Sequence, residues 1–162
     1  MSTLLVVDLQ KGFCKEKNLA KDIIKLAKCF DRVIATKFVN EGDSFYDKYL
    51  NYKCPDTDLV EGFKPDEIIE KKGYGTVIPS LAGSSQVFIC GLETEGCILK
   101  TALDFWDRGI RPIILTDYIA SSDDVYHKVG LFLLERLIGE KNLVSGTITK
   151  TAIKKLEAEN GN

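Results

Sequence analysis

Short apolar runs alternate with segments of helical period along this chain, and that alternation restricts its fold more than any other feature. Residues 4–7, 33–35, 87–90 and 113–115 each read as a buried strand or the start of one. Between them, Leu19, Ile23, Leu26, Ala27 and Phe30 fall on one helical face, and Ile98, Ala102 and Phe105 recur at helical spacing. Val125, Val129, Phe132, Leu133 and Leu137 mark a later helix, with Ser122 or Asp123 as its expected cap. Residues 67–70 read as a further short strand and 142–144 as a last one. Strands alternating with helices predict an α/β fold, a parallel sheet covered by helices on both faces. Residues 40–64 carry aromatics, Gly and Pro without a clean period and read as a long loop with short irregular pieces. The tail, 154–162, is expected to fray.

At 162 residues the chain is read as one domain, 1–162, long enough to bury a core. A net charge near −2 gives no support for a nucleic-acid or membrane surface. The apolar runs stop at four or five residues and no signal peptide is expected at the start. Five cysteines, an odd number without paired local spacing, fit a reduced cytoplasmic setting better than a disulfide framework. The single histidine, His127, makes a His-rich metal site or a His-based catalytic dyad hard to build.

Cys97 lies in VFICGLETEGCILKTALDF, where an apolar strand turns into a helix. That is the rim at which open α/β sheets build their sites. The unpaired amides and macrodipole of a helix start favour negative charge, so a thiol there is expected to tend toward thiolate. Position alone leaves a second role open, a small buried residue packing helix on sheet. Asp8 ends the first strand's apolar run and is either a turn cap or a general base. Lys71 and Lys72 read by composition as solvated loop charges. Phe13 and Tyr74 each follow a candidate site residue closely; they read equally as walls of a substrate pocket or as core.

Three segments, in order and in register, resemble the isochorismatase-like cysteine hydrolases. VVDLQKGF at 6–13 matches that family's hydrophobic-Asp-x-Gln-x-x-Phe start. IIEKKGYG at 68–75 matches its lysine followed three residues later by Tyr, and GLETEGCILKTALDFWDRGI at 91–110 matches its Gly-x-x-x-x-x-Cys-x-x-x-Thr-Ala. The resemblance implies a three-layer α/β/α fold, Rossmann-like, with a mostly parallel six-stranded sheet in the order 3-2-1-4-5-6. It implies a catalytic triad of Asp8, Lys71 and Cys97, and places Lys71 rather than Lys72 in the site. It also implies a cis peptide between Leu92 and Glu93, with the backbone amides of Glu93 and Cys97 as oxyanion donors. By resemblance alone, a homo-oligomer is expected.

The chain departs from the family in two places. Where Tyr-Ser-Ala-Phe is common, it has Tyr74-Gly75-Thr76-Val77, in a loop that usually shapes the substrate pocket. The segment 41–48, beginning at Glu41, has no histidine where nicotinamidases of this superfamily carry an Asp-x-His…His metal site. True isochorismatases generally lack the catalytic cysteine, so Cys97 favours acyl-transfer chemistry. The reading is therefore a hydrolase, an amidase cleaving a small amide or related C–N bond through a thioester on Cys97, with no metal and no cofactor. A non-catalytic member binding a small ligand or partner in the same cleft is the alternative. A nucleotide-binding Rossmann module finds support only in the strand–helix alternation and Asp117. No Gly-x-Gly-x-x-Gly follows the first strand.

Overall fold

Every residue of Thr3–Val7 (β1) is buried, as a strand covered on both faces must be. It occupies the middle of a six-stranded sheet. β1 pairs in parallel with Arg32–Phe38 (β2) on one side and Gln86–Leu92 (β4) on the other. Glu67–Lys71 (β3) extends the sheet beyond β2, Arg111–Ala120 (β5) beyond β4, and the two-residue Leu143–Val144 (β6) closes that edge. The order is 3-2-1-4-5-6 and every pairing is parallel, as the family resemblance implied. The computed structural model describes residues 1–40, 42–54 and 56–159. Glu41, the first residue of the His-free segment, lies outside the described residues.

Five α-helices flank the sheet among the described residues: Lys17–Ala27 (α1), Phe45–Leu50 (α2), Leu99–Trp106 (α3), Asp124–Ile138 (α4) and Lys150–Ala158 (α5). None is long and apolar enough to cross a membrane. Asp123 caps α4, its carboxylate accepting from the Val125 amide at 2.7 Å. Gly91, with φ 118°, lets β4 lie against β1: a Cβ there would meet the Val7 carbonyl oxygen at 2.1 Å.

Three sequence expectations change. The long loop contains the short helix α2, started by the Ser44 hydroxyl, which accepts from the Asp47 amide. β5 runs through Ala120, well past the apolar run that announced it, because half-buried Thr116 and Tyr118 and exposed Asp117 break the apolar run before buried Ile119. The tail does not fray from residue 154: α5 continues through Ala158, anchored by buried Ile153, while 160–162 lie outside the described residues.

Candidate active site

β1 stops at Val7, and Asp8 follows in the left-handed conformation, φ 50°. A short polar side chain tolerates that region better than a branched one. The Asp8 amide donates to Thr36 Oγ1 on β2 at 3.1 Å, and the Thr36 hydroxyl donates to Asp8 Oδ1 at 2.7 Å. Thr36 therefore holds the carboxylate at the carboxyl edge of the sheet. Two residues further on, the Gln10 side chain accepts from the Phe38 amide at 2.7 Å and donates to the Phe38 carbonyl at 2.9 Å. It extends the β1–β2 pairing past the end of the strand.

Lys71 is the last residue of β3. Its ammonium lies 2.7 Å from Asp8 Oδ2 and donates to Cys97 Sγ at 3.2 Å. It also donates to the carbonyls of Gly73 and Tyr74, each at 2.9 Å, and sits 5.5 Å from the Phe38 ring centroid. The Lys71 and Asp8 side chains are 1% and 2% exposed, so this ion pair stands almost without water. Such a pair persists only when further bonds serve both ions, and Thr36, Gly73 and Tyr74 supply them. Lys72, one residue on, is exposed.

β4 ends at Leu92, the Leu92–Glu93 peptide is cis, and Thr94–Ile98 form a π-helical turn that runs into α3. Cys97 is the fourth residue of that turn, and Glu93 immediately precedes it. π-turns are frequent at functional sites. Asp8, Lys71 and Cys97 are thus brought together from three strand ends, with Glu93 just before the turn and Cys97 within it.

The state of the thiol differs from the sequence expectation. Burial pushes Cys97 up to about 12, the Asp8 carboxylate adds to this, and Lys71 opposes it. A helix start and one ammonium do not outweigh burial beside a carboxylate. Burial beside the Asp8 carboxylate therefore favours the protonated form of the thiol.

The turn is held from the β5–α4 side by residues that lie in none of the three motifs, except Glu93 and Glu95 of the turn's own segment. The Thr94 amide donates to Ser121 Oγ at 3.1 Å, and the Ser121 hydroxyl donates to Glu95 Oε2 at 2.5 Å. The Ser122 amide donates to the Glu93 carboxylate at 2.7 Å. That carboxyl is raised by burial, which the Ser122 amide partly offsets. His127 Nδ1 and Thr94 Oγ1 are 2.8 Å apart. Gly130 of α4 lies so close that a Cβ would be 2.6 Å from the Glu95 nitrogen. These contacts join residues about thirty apart in sequence, so no local motif announces them.

A cavity of about 370 Å³ opens over Cys97, and Phe13 and Tyr74 line it as expected pocket walls. Phe38, Tyr46 and Tyr52 line it too. The rings form an unbroken chain: Tyr52–Phe13 at 6.2 Å, Phe13–Phe38 at 6.0 Å, Phe38–Tyr46 and Tyr46–Tyr74 at 5.1 Å. Burial first, then Tyr74 and Cys97, pushes the Tyr46 phenol up to about 12, so it stays a neutral hydroxyl. Glu93, Glu95, Lys15 and Ser122 form the polar side of the cavity. Asp43 and Asp47, the two aspartates of the His-free segment, pair with Lys48 and Lys53 at 3.0 and 3.6 Å. Asp117, which lent the nucleotide-binding alternative its acidic residue, accepts from the Gly146 amide at 2.7 Å and so ties down the chain after β6.

Comparison with known proteins places this geometry in context. The model of the isochorismatase domain matches residues 2–142. Isochorismatase domain-containing protein 2A of Mus musculus is 29% identical over 145 residues, covering 80% of this chain and 65% of that protein. Protein 2B of the same organism is 40% identical over 50 residues, 31% of this chain and 24% of its own length. The chain thus spans less than two thirds of either relative. An isochorismatase-like hydrolase from Alkaliphilus metalliredigens superposes with a TM-score of 0.76 at 19% identity, covering 98% of both chains. A cysteine hydrolase from Pseudomonas syringae pv. phaseolicola gives 0.73 at 22%, covering 97% of this chain and 92% of its own. A nicotinamidase from Bacillus subtilis gives 0.71 at 20%, covering 90% and 100%. At these identities the structures share the fold.

Proposed function

This chain belongs to the isochorismatase domain family, and on that premise we propose that it is a cysteine hydrolase cleaving a small amide or related C–N bond. The observation that carries the reading is the contact of Lys71 with both Asp8, at 2.7 Å, and Cys97, at 3.2 Å. Asp8 takes the Cys97 proton as sulfur attacks the carbonyl carbon. The oxyanion that forms is held by the backbone amides of Glu93 and Cys97; two such donors lower the barrier by about 3–4 kcal/mol or more. Asp8 returns the proton to the leaving nitrogen, the C–N bond breaks, and a thioester remains on Cys97. Asp8 then accepts a proton from water, whose oxygen attacks the thioester; the C–S bond breaks, the acid is released, and Asp8 returns that proton to the Cys97 sulfur. Lys71 keeps its charge throughout and offsets the negative charge passing between Asp8 and sulfur. The five aromatic rings suit a flat or apolar acyl group. No step calls on a metal or an organic cofactor.

The test is a screen of small amides for released ammonia or amine, run with the native protein and Cys97→Ala. Turnover by the native protein alone, with an acyl adduct on Cys97 seen by mass spectrometry, is the expected result. Saturable binding of an amide without turnover would instead favour a non-catalytic ligand-binding member of the fold.

A further inference from the structure

The aromatic wall of the cavity over Cys97 bends. Tyr52 and Phe13 are nearly parallel, at 15°, but the planes then turn by 59° from Phe13 to Phe38, 72° from Phe38 to Tyr46 and 61° from Tyr46 to Tyr74. A flat ring is held best between parallel faces, whereas a wall that changes direction at each step wraps a rounded group. The phenols are neutral. Tyr46 is pushed up to about 12, and burial raises Tyr52 as well, with Cys54, Glu93 and Cys97 adding to it. Uncharged rings keep the negative faces that attract cations, and the Lys71 ammonium already lies 5.5 Å from the Phe38 centroid.

The polar side of the same cavity carries two carboxylates against one ammonium. Glu93 accepts from the Ser122 amide and Glu95 from the Ser121 hydroxyl, both neutral donors. Among the described residues, neither carboxylate has an ion-pair partner, and Lys15, which is exposed, has none either. Burial raises the Glu93 carboxyl and Glu95 adds to this; Lys15 lowers it, but less than the Ser122 amide does. The cavity is thus one positive charge short.

We propose that the cavity selects the amide of an acyl group that carries a methylated ammonium, the cation seated among the rings beside Glu93 and Glu95 and the carbonyl carbon at Cys97. This rests on the hydrolase reading and narrows its substrate class. A bare ammonium is strongly hydrated and calls for acceptors of its own. A methylated one presents hydrocarbon to the rings, needs no hydrogen bond from carboxylates already engaged by Ser121 and Ser122, and still meets their charge. Hydrolysis by the steps given above turns this amide and water into ammonia and a zwitterionic acid.

Calorimetry on Cys97→Ala separates binding from turnover. The probes are betaine amide, its uncharged isostere with carbon in place of the quaternary nitrogen, and the amide in which a carboxylate takes that place. Betaine amide should bind roughly 10-fold or more tightly than the isostere. Tyr52→Leu and Glu95→Gln, each added to Cys97→Ala, should reduce that preference by roughly 3- to 10-fold while the isostere binds as before. If either variant fails to fold, the comparison of the three probes on Cys97→Ala still decides. Equal binding, tighter binding of the isostere or of the anionic amide, or binding of none overturns the proposal. With the native protein, ammonia should be released from betaine amide at a higher kcat/KM than from the other two. Preferential binding of betaine amide with no ammonia from any probe would overturn the hydrolase reading and keep the cation site. Faster release from the isostere or the anionic amide would keep the hydrolase and overturn the cation site.

Discussion

The Thr36 hydroxyl donates to Asp8 Oδ1 at 2.7 Å, leaving the opposite carboxylate oxygen to Lys71. One threonine on the neighbouring strand therefore sets which edge of the proposed base faces the ion pair. Thr36→Val keeps the side-chain volume and removes the donor. A hydrogen bond to a buried charge contributes about 1.5–3 kcal/mol. Amide hydrolysis by Thr36→Val should fall by roughly 10- to 100-fold with the fold retained, and Thr36→Ser should recover most of it. Full activity in the valine variant would show that Asp8 needs no second anchor.

Lys71 and Lys72 are adjacent in sequence and opposite in environment. Lys71→Met leaves the buried Asp8 carboxylate unpaired, and breaking such a pair typically costs about 3–5 kcal/mol. Urea unfolding should show that loss together with loss of turnover. Lys72→Ala is a surface change and should stay within about 0.5 kcal/mol of the native protein. If Lys72→Ala lost activity and Lys71→Met kept it, the site would be misregistered by one residue.

The raised Cys97 thiol fixes a pH signature. Burial and Asp8 lift it from the ordinary 9.0 to about 12, so the folded protein holds this proton more tightly than the unfolded chain does. The stabilisation is complete below the ordinary thiol range and is lost as pH rises from about 9 to about 12. Ultraviolet thiolate absorbance, taken as the difference between the native protein and Cys97→Ser, should be absent at neutral pH and appear only in strong alkali. A Cys97 thiolate already present at pH 7 would contradict the assignment of Asp8 as the group that removes its proton during attack.

Gly130→Ala probes the α4 buttress. The added Cβ meets the Glu95 nitrogen at 2.6 Å. Overpacking of this kind costs about 1–3 kcal/mol. Because the atom struck belongs to the turn that carries Cys97, turnover should fall further than stability alone accounts for, mainly in kcat. Activity unchanged in a folded Gly130→Ala protein would mean that the turn absorbs the shift harmlessly.

Hydrolysis is expected to be independent of metal, with nicotinamide a poor substrate. The segment 41–48 contains no histidine, and its Asp43 and Asp47 are already paired with lysines. Carboxylates alone suit Mg²⁺ or Ca²⁺ more than Zn²⁺. Chelator should leave turnover of the active amide unchanged. Loss of turnover in EDTA with recovery on adding zinc would reopen the substrate class.

The sequence by itself determined the alternation of strand and helix, because burial on both faces leaves continuous apolar runs and helix packing leaves a 3.6-residue period. The resemblance to a known family added Asp8, Lys71 and Cys97 as a candidate triad, each inside a short motif next to a strand end. What it could not determine depends on residues distant in the chain. The raised Cys97 thiol follows from the burial that β1, β3 and the π-turn create together, whereas the sequence shows only the helix start. Thr36, Ser121 and His127 sit in no motif, yet they orient Asp8 and the π-turn through bonds spanning about thirty residues. Tyr46, Tyr52 and Phe38 become a pocket wall only when α2 and the loop after it fold over the sheet edge. Val125, Val129, Phe132 and Leu137 of α4 are exposed, the reverse of what their apolar spacing implies. Helical period states which residues share a face, but only the packing of Gly130 against Thr94 and Glu95 decides which way that face points.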